Sequence, residues 1–481
     1  MNVLVRSGRP HVVIIGGGFS GAAVVLHLAH AHGPDDLEIT VIEPRSFLGG
    51  GVAYSSEEPA HRVNVPATRM SMFSDDPDHF DRWLSANGEL DRDREALWTN
   101  GDAYPRRRVF GRYVEAQLHA YLASGRVRHI RALATRIEKT AASWTVTTER
   151  GERLTATFVV LAVTHPAPAV PEALSGIAQE RGFVANPYAS DALAEIDTTA
   201  KVLIVGSGLT SADMVAELDR RGHRGGILAI SRHGLRSRGH PAKRCEPFGD
   251  FAADPARTAL ELLRRVRATV RAASGSGGSW HSVLDRLRSD GLVIWSALSP
   301  EERYRLVRRL RVFWDVHRFR IAPQVEAVLE RRLSEGFFAN IAASLVAARR
   351  QGDLLAVSFR RRGQREIETL RFDAVINTTG PAHRTILEQN PALRGLADHG
   401  ILRLDRYGLG LETNGASRAI SSDGVPVATL LVAGPLARGA FGELMGLPEV
   451  ARHAQAVAAE VGTMLGRNAA GINGLGKADQ G

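Results

Sequence analysis

The sequence predicts an α/β chain of two Rossmann-like dinucleotide-binding domains, the first interrupted by the second, with an α-helical insertion. Three observations carry this prediction. A β-branched apolar run, Val12-Val13-Ile14-Ile15, breaks into Gly16-Gly17-Gly18-Phe19-Ser20-Gly21 and an apolar helical segment, and a second apolar strand then ends in Glu43. The pattern returns at Val202-Leu203-Ile204-Val205, with Gly206-Ser207-Gly208-Leu209-Thr210-Ser211, a helical stretch over 212–218 and a strand over 227–230. Arginine-rich helical stretches at 254–272 and 299–333, joined by a Gly/Ser-rich segment at 274–279, form the insertion. The expected division is 1–195 and 351–481 for the first domain and 196–350 for the second with its insertion.

The first glycine turn sits between strand and helix, with an acid at the end of the next strand, which is the context a dinucleotide fingerprint requires. Gly16 permits the tight turn, Gly18 lets the backbone approach a diphosphate, and Gly21 allows close helix–sheet packing. The diphosphate would meet unpaired N–H groups and the positive end of the helix dipole. Phe19 and Ser20 open that helix, and Glu43 would accept from an adenosine ribose. A glycine-rich loop over 44–54 follows, with Arg45 and Val52 as candidate cofactor contacts. Asn64 and Met70 belong to the next, irregular segment, read as a wall of the same site.

At 481 residues, the chain is too long for one ordinary core. Its 44% apolar and 23% charged content is that of a globular protein. The apolar stretch 11–31 is interrupted by glycines and histidines and carries the fingerprint, so neither a membrane span nor a signal peptide is expected, and the location expected is cytoplasmic. One cysteine, Cys245, excludes an intramolecular disulfide framework, a Cys-x-x-Cys redox pair and a thiolate metal cluster. The net charge of +9 is concentrated at 231–350, with 23 Lys/Arg against 12 Asp/Glu. With no nucleic-acid-binding signature beside it, this block is read as solvated arginine-rich helix faces near an anionic cofactor, and no nucleic acid partner is expected.

Between the fingerprints, helices are expected at 75–86 and 111–122, strands at 144–148 and 154–163, and then a proline-rich crossing. Where an NAD-binding domain carries an acid after its second strand, this chain has Ser231-Arg232-His233. An arginine there can pair with a ribose 2′-phosphate, so NADPH is expected rather than NADH. Strands are expected at 354–361, 370–377 and 429–433, and a long helix from Pro448, a favoured first-turn proline.

Together, GGGFSG, NVPATRMSMFSDDPDHFDRWL, VLIVGSGLTSAD, ISRHG, WDVHRFRIAP and NTTGP resemble the bacterial FAD-NAD(P)-binding protein family, within the two-dinucleotide-binding-domain flavoproteins that include class B flavin monooxygenases. The resemblance spans nearly the whole chain. It implies FAD on Gly16, Gly18, Gly21 and Glu43, and NADPH on Gly206, Gly208, Leu209, Thr210, Ser231 and Arg232. Gly380 corresponds to the glycine ending the strand that returns to the FAD domain. Gly434 stands where reductases carry a Gly-Asp pair, with Pro435 in place of the acid, and Thr164-His165 stands where many relatives have Thr-Gly. No residue is identified as catalytic; Asn64, Trp314 and His317 are the candidates. The implied activity is an FAD-dependent, NADPH-using oxidoreductase, favoured as a monooxygenase of a small molecule, including amine N-hydroxylation. The alternatives are a reductase serving a quinone or protein acceptor and a non-enzymatic redox sensor. No metal is expected.

Overall fold

The computed structural model describes residues 8–163, 168–189, 191–380 and 385–475. Thr164, His165 and Pro381, which the sequence singles out, lie outside the described residues. Two sheets with parallel cores organise the chain. The first runs in the spatial order Arg418–Ile420, Pro426–Val432, Phe158–Leu161, His11–Ile15, Glu38–Ile42, Val127–Ile130, parallel except for its edge strand Arg418–Ile420. The second runs Glu368–Phe372, Leu354–Arg361, Phe338–Gln351, Ile227–Ser231, Val202–Val205, Ala374–Asn377, Phe183–Val184. Its last five strands are parallel and its first two form an antiparallel extension. Both glycine turns therefore leave the carboxyl ends of central parallel strands, where open α/β sheets bind ligands.

The central strand His11–Ile15 reads as a continuous apolar run because both faces are covered, and Val12, Val13 and Ile14 are fully buried. The helix Phe19–Ala31 is apolar nearly all round for the same reason: it lies between this sheet and the long C-terminal helix Leu447–Leu475. One apolar cluster continues from Val12 and Ile14 to Val202, Ile204 and Met214, so the core passes between the two sheets.

The expected single strand at 154–163 is two. Arg153–Ala156 completes a three-stranded antiparallel meander with Ala134–Lys139 and Trp144–Thr148, whereas Phe158–Leu161 enters the parallel sheet. Thr157 marks the handover: its N–H donates to His11 O at 2.8 Å, and its hydroxyl accepts from His11 N. The boundary expected at 350 falls within the hairpin Phe338–Gln351/Leu354–Arg361, and the second sheet keeps the chain until Asn377.

The insertion comprises the helices Ala259–Gly275, Trp280–Ser289, Gly291–Ala297, Pro300–Arg309, Arg311–Arg318 and Pro323–Ser334. The first starts at 259 rather than 254 because Thr258 caps it, its hydroxyl accepting from Glu261 N. The Gly/Ser segment ends in a second cap, Ser279, which accepts from His281 N. Ser299 caps the fourth helix, with Pro300 in its first turn. Phe251, Val283, Leu287, Ile294 and Leu298 give the insertion a small core of its own.

Candidate cofactor and substrate site

Gly16 has φ of 99°, and a Cβ there would lie 2.4 Å from Ala162 O, so only glycine fits between the adjacent strands. At Gly21 a Cβ would fall 1.9 Å from Gly16 O, which is the close helix–strand approach expected of the third glycine. Gly18 differs from both. A Cβ there would meet nothing nearer than Gly51 Cα at 3.5 Å, and one on Gly51 would meet only Gly18 Cα at 3.2 Å. Two bare backbones thus face each other across a slot at the helix N-terminus, which carries no side-chain cap and no acid in its first turn. Gly49 N–H donates to Gly17 O at 2.7 Å and pins the second loop over the turn.

Glu43 is buried at the carboxyl end of its strand. Its Oε2 accepts from Gly17 N at 2.9 Å, and its Oε1 from Arg45 N and Arg45 Nη1 at 3.1 and 3.0 Å. The carboxylate therefore braces the turn while Oε2 keeps a free lone pair for a hydroxyl. Arg45 closes the rim, and Val52 is 42% exposed on the adjoining loop. Phe19 packs on Tyr54 and Phe110, and Met70 is in the core, so both shape the wall from behind. Ser20 abuts Gly434, where φ is 84° and a Cβ would overlap the serine side chain.

The Gly434 turn rests on His453, which the sequence reading missed. Gly434 N–H donates to His453 Nδ1 at 3.1 Å, so the ring's proton is on Nε2, 2.9 Å from Ser417 Oγ. Burial lowers this histidine to about 4, so it is neutral at ordinary pH.

The second turn repeats the first. Gly206 has φ of 121°, and a Cβ would lie 2.5 Å from Thr378 Oγ1. Gly208, at the start of helix Leu209–Arg220, has nothing within 4 Å of an added Cβ. Ser231 is spent on the turn after its strand: its hydroxyl accepts from Ser207 Oγ at 2.7 Å and from Gly234 N at 3.0 Å. Arg232 is exposed beside it and makes no hydrogen bond or ion pair among the described residues. Gly380 lies just past the neighbouring strand end, with φ of 84° and open space around it.

Polar residues lock this second helix to the first domain. Arg107 Nη2 donates to Asp213 Oδ2 at 2.7 Å, Tyr188 Oη to the same oxygen at 2.6 Å, and Arg107 Nε to Arg62 O at 2.9 Å. Burial lowers the Arg107 pKa, but Asp213 and Tyr188 outweigh it and hold the guanidinium charged. Burial and Asp213 together push the Tyr188 phenol up to about 12. His61 and Glu217, both buried, add a 3.3 Å pair across the same junction. Asp213 belongs to the VLIVGSGLTSAD motif, and that membership was the available signal.

Asn64, Trp314 and His317 do not converge on one point. Asn64 O accepts from His240 Nε2 at 3.0 Å, at the seam between the first domain and the loop entering the insertion. Trp314 and His317 are on the fifth insertion helix. Trp314 Nε1 donates to Glu443 Oε2 at 3.1 Å, and the His317 ring meets Trp280 edge-on. Between the two groups lies a dense ion network. Arg288 clamps Glu449 with two bonds, Arg318 reaches Glu443 and Glu449 at 3.1 Å each, and Arg320 binds Asp285, which also faces Arg69. Burial opposes ionisation of Glu449, but Arg288 and Arg318 hold it ionised below the usual range. Glu449 is in the first turn of the C-terminal helix, so the network fixes that turn against the insertion. Burial pushes the Cys245 thiol up, away from nucleophile behaviour.

Two glycine slots at the carboxyl ends of two parallel sheets, in one chain, settle the architecture. The fold is that of the two-dinucleotide-binding-domain flavoproteins. Residues 13–166 match the FAD-NAD(P)-binding family, and residues 96–244 match the L-lysine 6-monooxygenase/L-ornithine 5-monooxygenase family. Among solved structures, the chain is similar to the reduced ornithine hydroxylase of Pseudomonas aeruginosa, at 17% identity and TM-score 0.63 over 95% of this chain and 99% of that one. The L-lysine 6-monooxygenase of Pseudomonas syringae aligns at 16% identity and TM-score 0.62, over 95% and 99%. The ornithine N-hydroxylase of Kutzneria sp. 744, in its form with reduced FAD, NADP+ and L-ornithine, aligns at 17% and 0.61, over 96% and 99%. No curated protein sequence matches the chain. Among the described residues no helix is long and apolar enough to cross a membrane, and no group of three or more metal-ligating side chains is present.

Proposed function

We propose that this flavoprotein is an FAD-dependent, NADPH-using monooxygenase that hydroxylates the amino group of a small molecule. The observation that carries the cofactor assignment is the Gly18–Gly51 slot at a helix N-terminus, a cradle that any side chain would fill and that suits a diphosphate. Bound FAD would supply the redox and oxygen chemistry. The residues of this chain do the rest: Gly16, Gly18 and Gly21 shape the diphosphate site, Glu43 faces the ribose, and Ser20 with Gly434 forms the wall where two elements meet. Gly206, Gly208, Leu209 and Thr210 offer the same kind of cradle for NADPH, and the unpaired Arg232 suits its 2′-phosphate. Asp213, Arg107 and Tyr188 hold the two cradles in one orientation, which delivery of a hydride from one to the other requires. The amine-oxygenation reading is supported by the match over 96–244 and by the fold shared with amino-acid N-hydroxylases.

The test is NADPH oxidation by the FAD-loaded protein under isotopically labelled oxygen, with a panel of primary amines. Label in a hydroxylamine product supports the proposal. Stoichiometric hydrogen peroxide with every amine, or fast turnover with a quinone and none with amines, would replace it with the reductase reading.

A further inference from the structure

The helical insertion borders a half-open cavity of about 680 Å³ whose lining includes no residue of either glycine turn. Its walls are apolar, drawn from Leu262, Val266, Leu287 and Leu306 on three helices, with Trp280, Trp295 and Trp314 among them. The far wall is Arg438, Gly442 and Glu443, from the first domain's loop between Gly434 and the C-terminal helix. That loop is pressed onto the insertion: Trp295 Nε1 donates to Gly439 O at 3.0 Å, and a Cβ on Gly442 would lie 2.6 Å from the Trp295 ring.

Polar groups inside this wall are mostly satisfied by the protein itself. Glu443 holds Trp314 and Arg318, and Arg438 donates to Gly442 O. Arg267 and Arg271, which also line the cavity, are different. Both are exposed, they sit one turn apart on the same face of the helix Ala259–Gly275, and neither makes a hydrogen bond or ion pair among the described residues. Like charges at this spacing oppose helix formation. An anion between them removes that opposition. The cavity is within the range of small-molecule sites, apolar with a few convergent polar groups.

We propose that this cavity binds an amphipathic anion, with an apolar chain or ring system against the tryptophans and a carboxylate on Arg267 and Arg271. A short diamino acid would leave most of this apolar wall uncovered, so the geometry favours a larger, greasier ligand than free ornithine or lysine. Its role as substrate rests on the oxygenase reading; its binding does not.

The experiment uses the full-length, FAD-supplemented protein without NADPH. Tryptophan fluorescence is followed on titration with dodecanoate, dodecanol and dodecyltrimethylammonium, and flavin loading is read separately by absorbance. Dodecanoate is expected to saturate the signal, and shorter homologues to bind about fourfold more weakly per methylene removed. The exposed double variant Arg267→Ala/Arg271→Ala should weaken dodecanoate at least tenfold and leave dodecanol unchanged, while Val266→Trp, which fills the cavity, should weaken both. No saturable dodecanoate binding, or equal affinity for anion and cation that the double variant does not alter, would overturn the inference. A protein that binds dodecanoate but takes up no flavin would sustain it and sink the oxygenase reading instead.

Discussion

Replacing Gly18 with valine separates a binding role for the first glycine turn from a packing role. The backbone at Gly18 has φ of −64° and ψ of −172°, extended geometry open to any residue, and an added Cβ makes only ordinary contact with Gly51 Cα at 3.5 Å. The folded chain without cofactor should therefore tolerate the change within about 0.5 kcal/mol, the usual range for a surface substitution. A diphosphate in the slot would be pushed off the helix N-terminus. Each charge-assisted hydrogen bond lost there costs about 1.5–3 kcal/mol, so two such losses raise the FAD dissociation constant by roughly 100-fold or more. Gly16→Ala gives the contrast: its Cβ falls 2.4 Å from Ala162 O, so it should lower the melting temperature with or without flavin. The assay is flavin titration by fluorescence beside thermal unfolding of the apoprotein. A Gly18→Val protein that loads FAD like the parent, or that has lost its fold, would refute the reasoning.

Arg232→Ala should raise the KM for NADPH at least tenfold and leave that for NADH nearly unchanged; equal effects on both would remove the 2′-phosphate assignment. Asp213→Ala leaves the buried Arg107 guanidinium without its partner, a loss of about 3–5 kcal/mol measurable by denaturant unfolding, whereas a change below 1 kcal/mol would show that the junction does not depend on it. Acid should loosen the Gly434 turn. His453 is lowered in the folded chain from 6.5 to about 4, so its contribution is complete above pH 6.5 and is lost as pH falls towards 4. That difference corresponds to roughly 3 kcal/mol, and His453→Gln, which can still accept from Gly434 N and donate to Ser417, should flatten this part of the stability–pH curve. A pH profile unchanged by the substitution would contradict the buried neutral imidazole.

The parts of the site closest to covalent geometry were legible in the sequence. Gly16, Gly21 and Gly206 belong to strand–turn–helix patterns that are continuous in the chain, and the strands beside them are apolar runs with few alternatives, although the groups that Gly16 and Gly206 meet, Ala162 and Thr378, come from elsewhere. Residues whose partners are distant in the chain were not legible. His453 acts on Gly434 and Ser417 through the fold, Asp213 meets an arginine 106 positions away, and Arg288 meets Glu449 161 positions away. Nothing local marks such pairs. The sequence reads 154–163 as one strand because Thr157, where the chain passes from one sheet to another, interrupts neither the apolar content nor the alternation. Position 350 lies inside a strand rather than a linker because the hairpin built on Phe338–Gln351 extends the second sheet beyond its parallel core. Trp314 and His317 line the insertion's cavity, and Asn64 does not.

The central claim is that one glycine cradle holds FAD and the other presents NADPH to it, and anaerobic mixing tests this most directly. Protein reconstituted with FAD and freed of excess flavin should be yellow, and one equivalent of NADPH should bleach the flavin band, with Arg232→Ala slowing the bleaching at low NADPH. A protein that emerges colourless, or whose bound flavin keeps its colour under excess NADPH, would contradict the account.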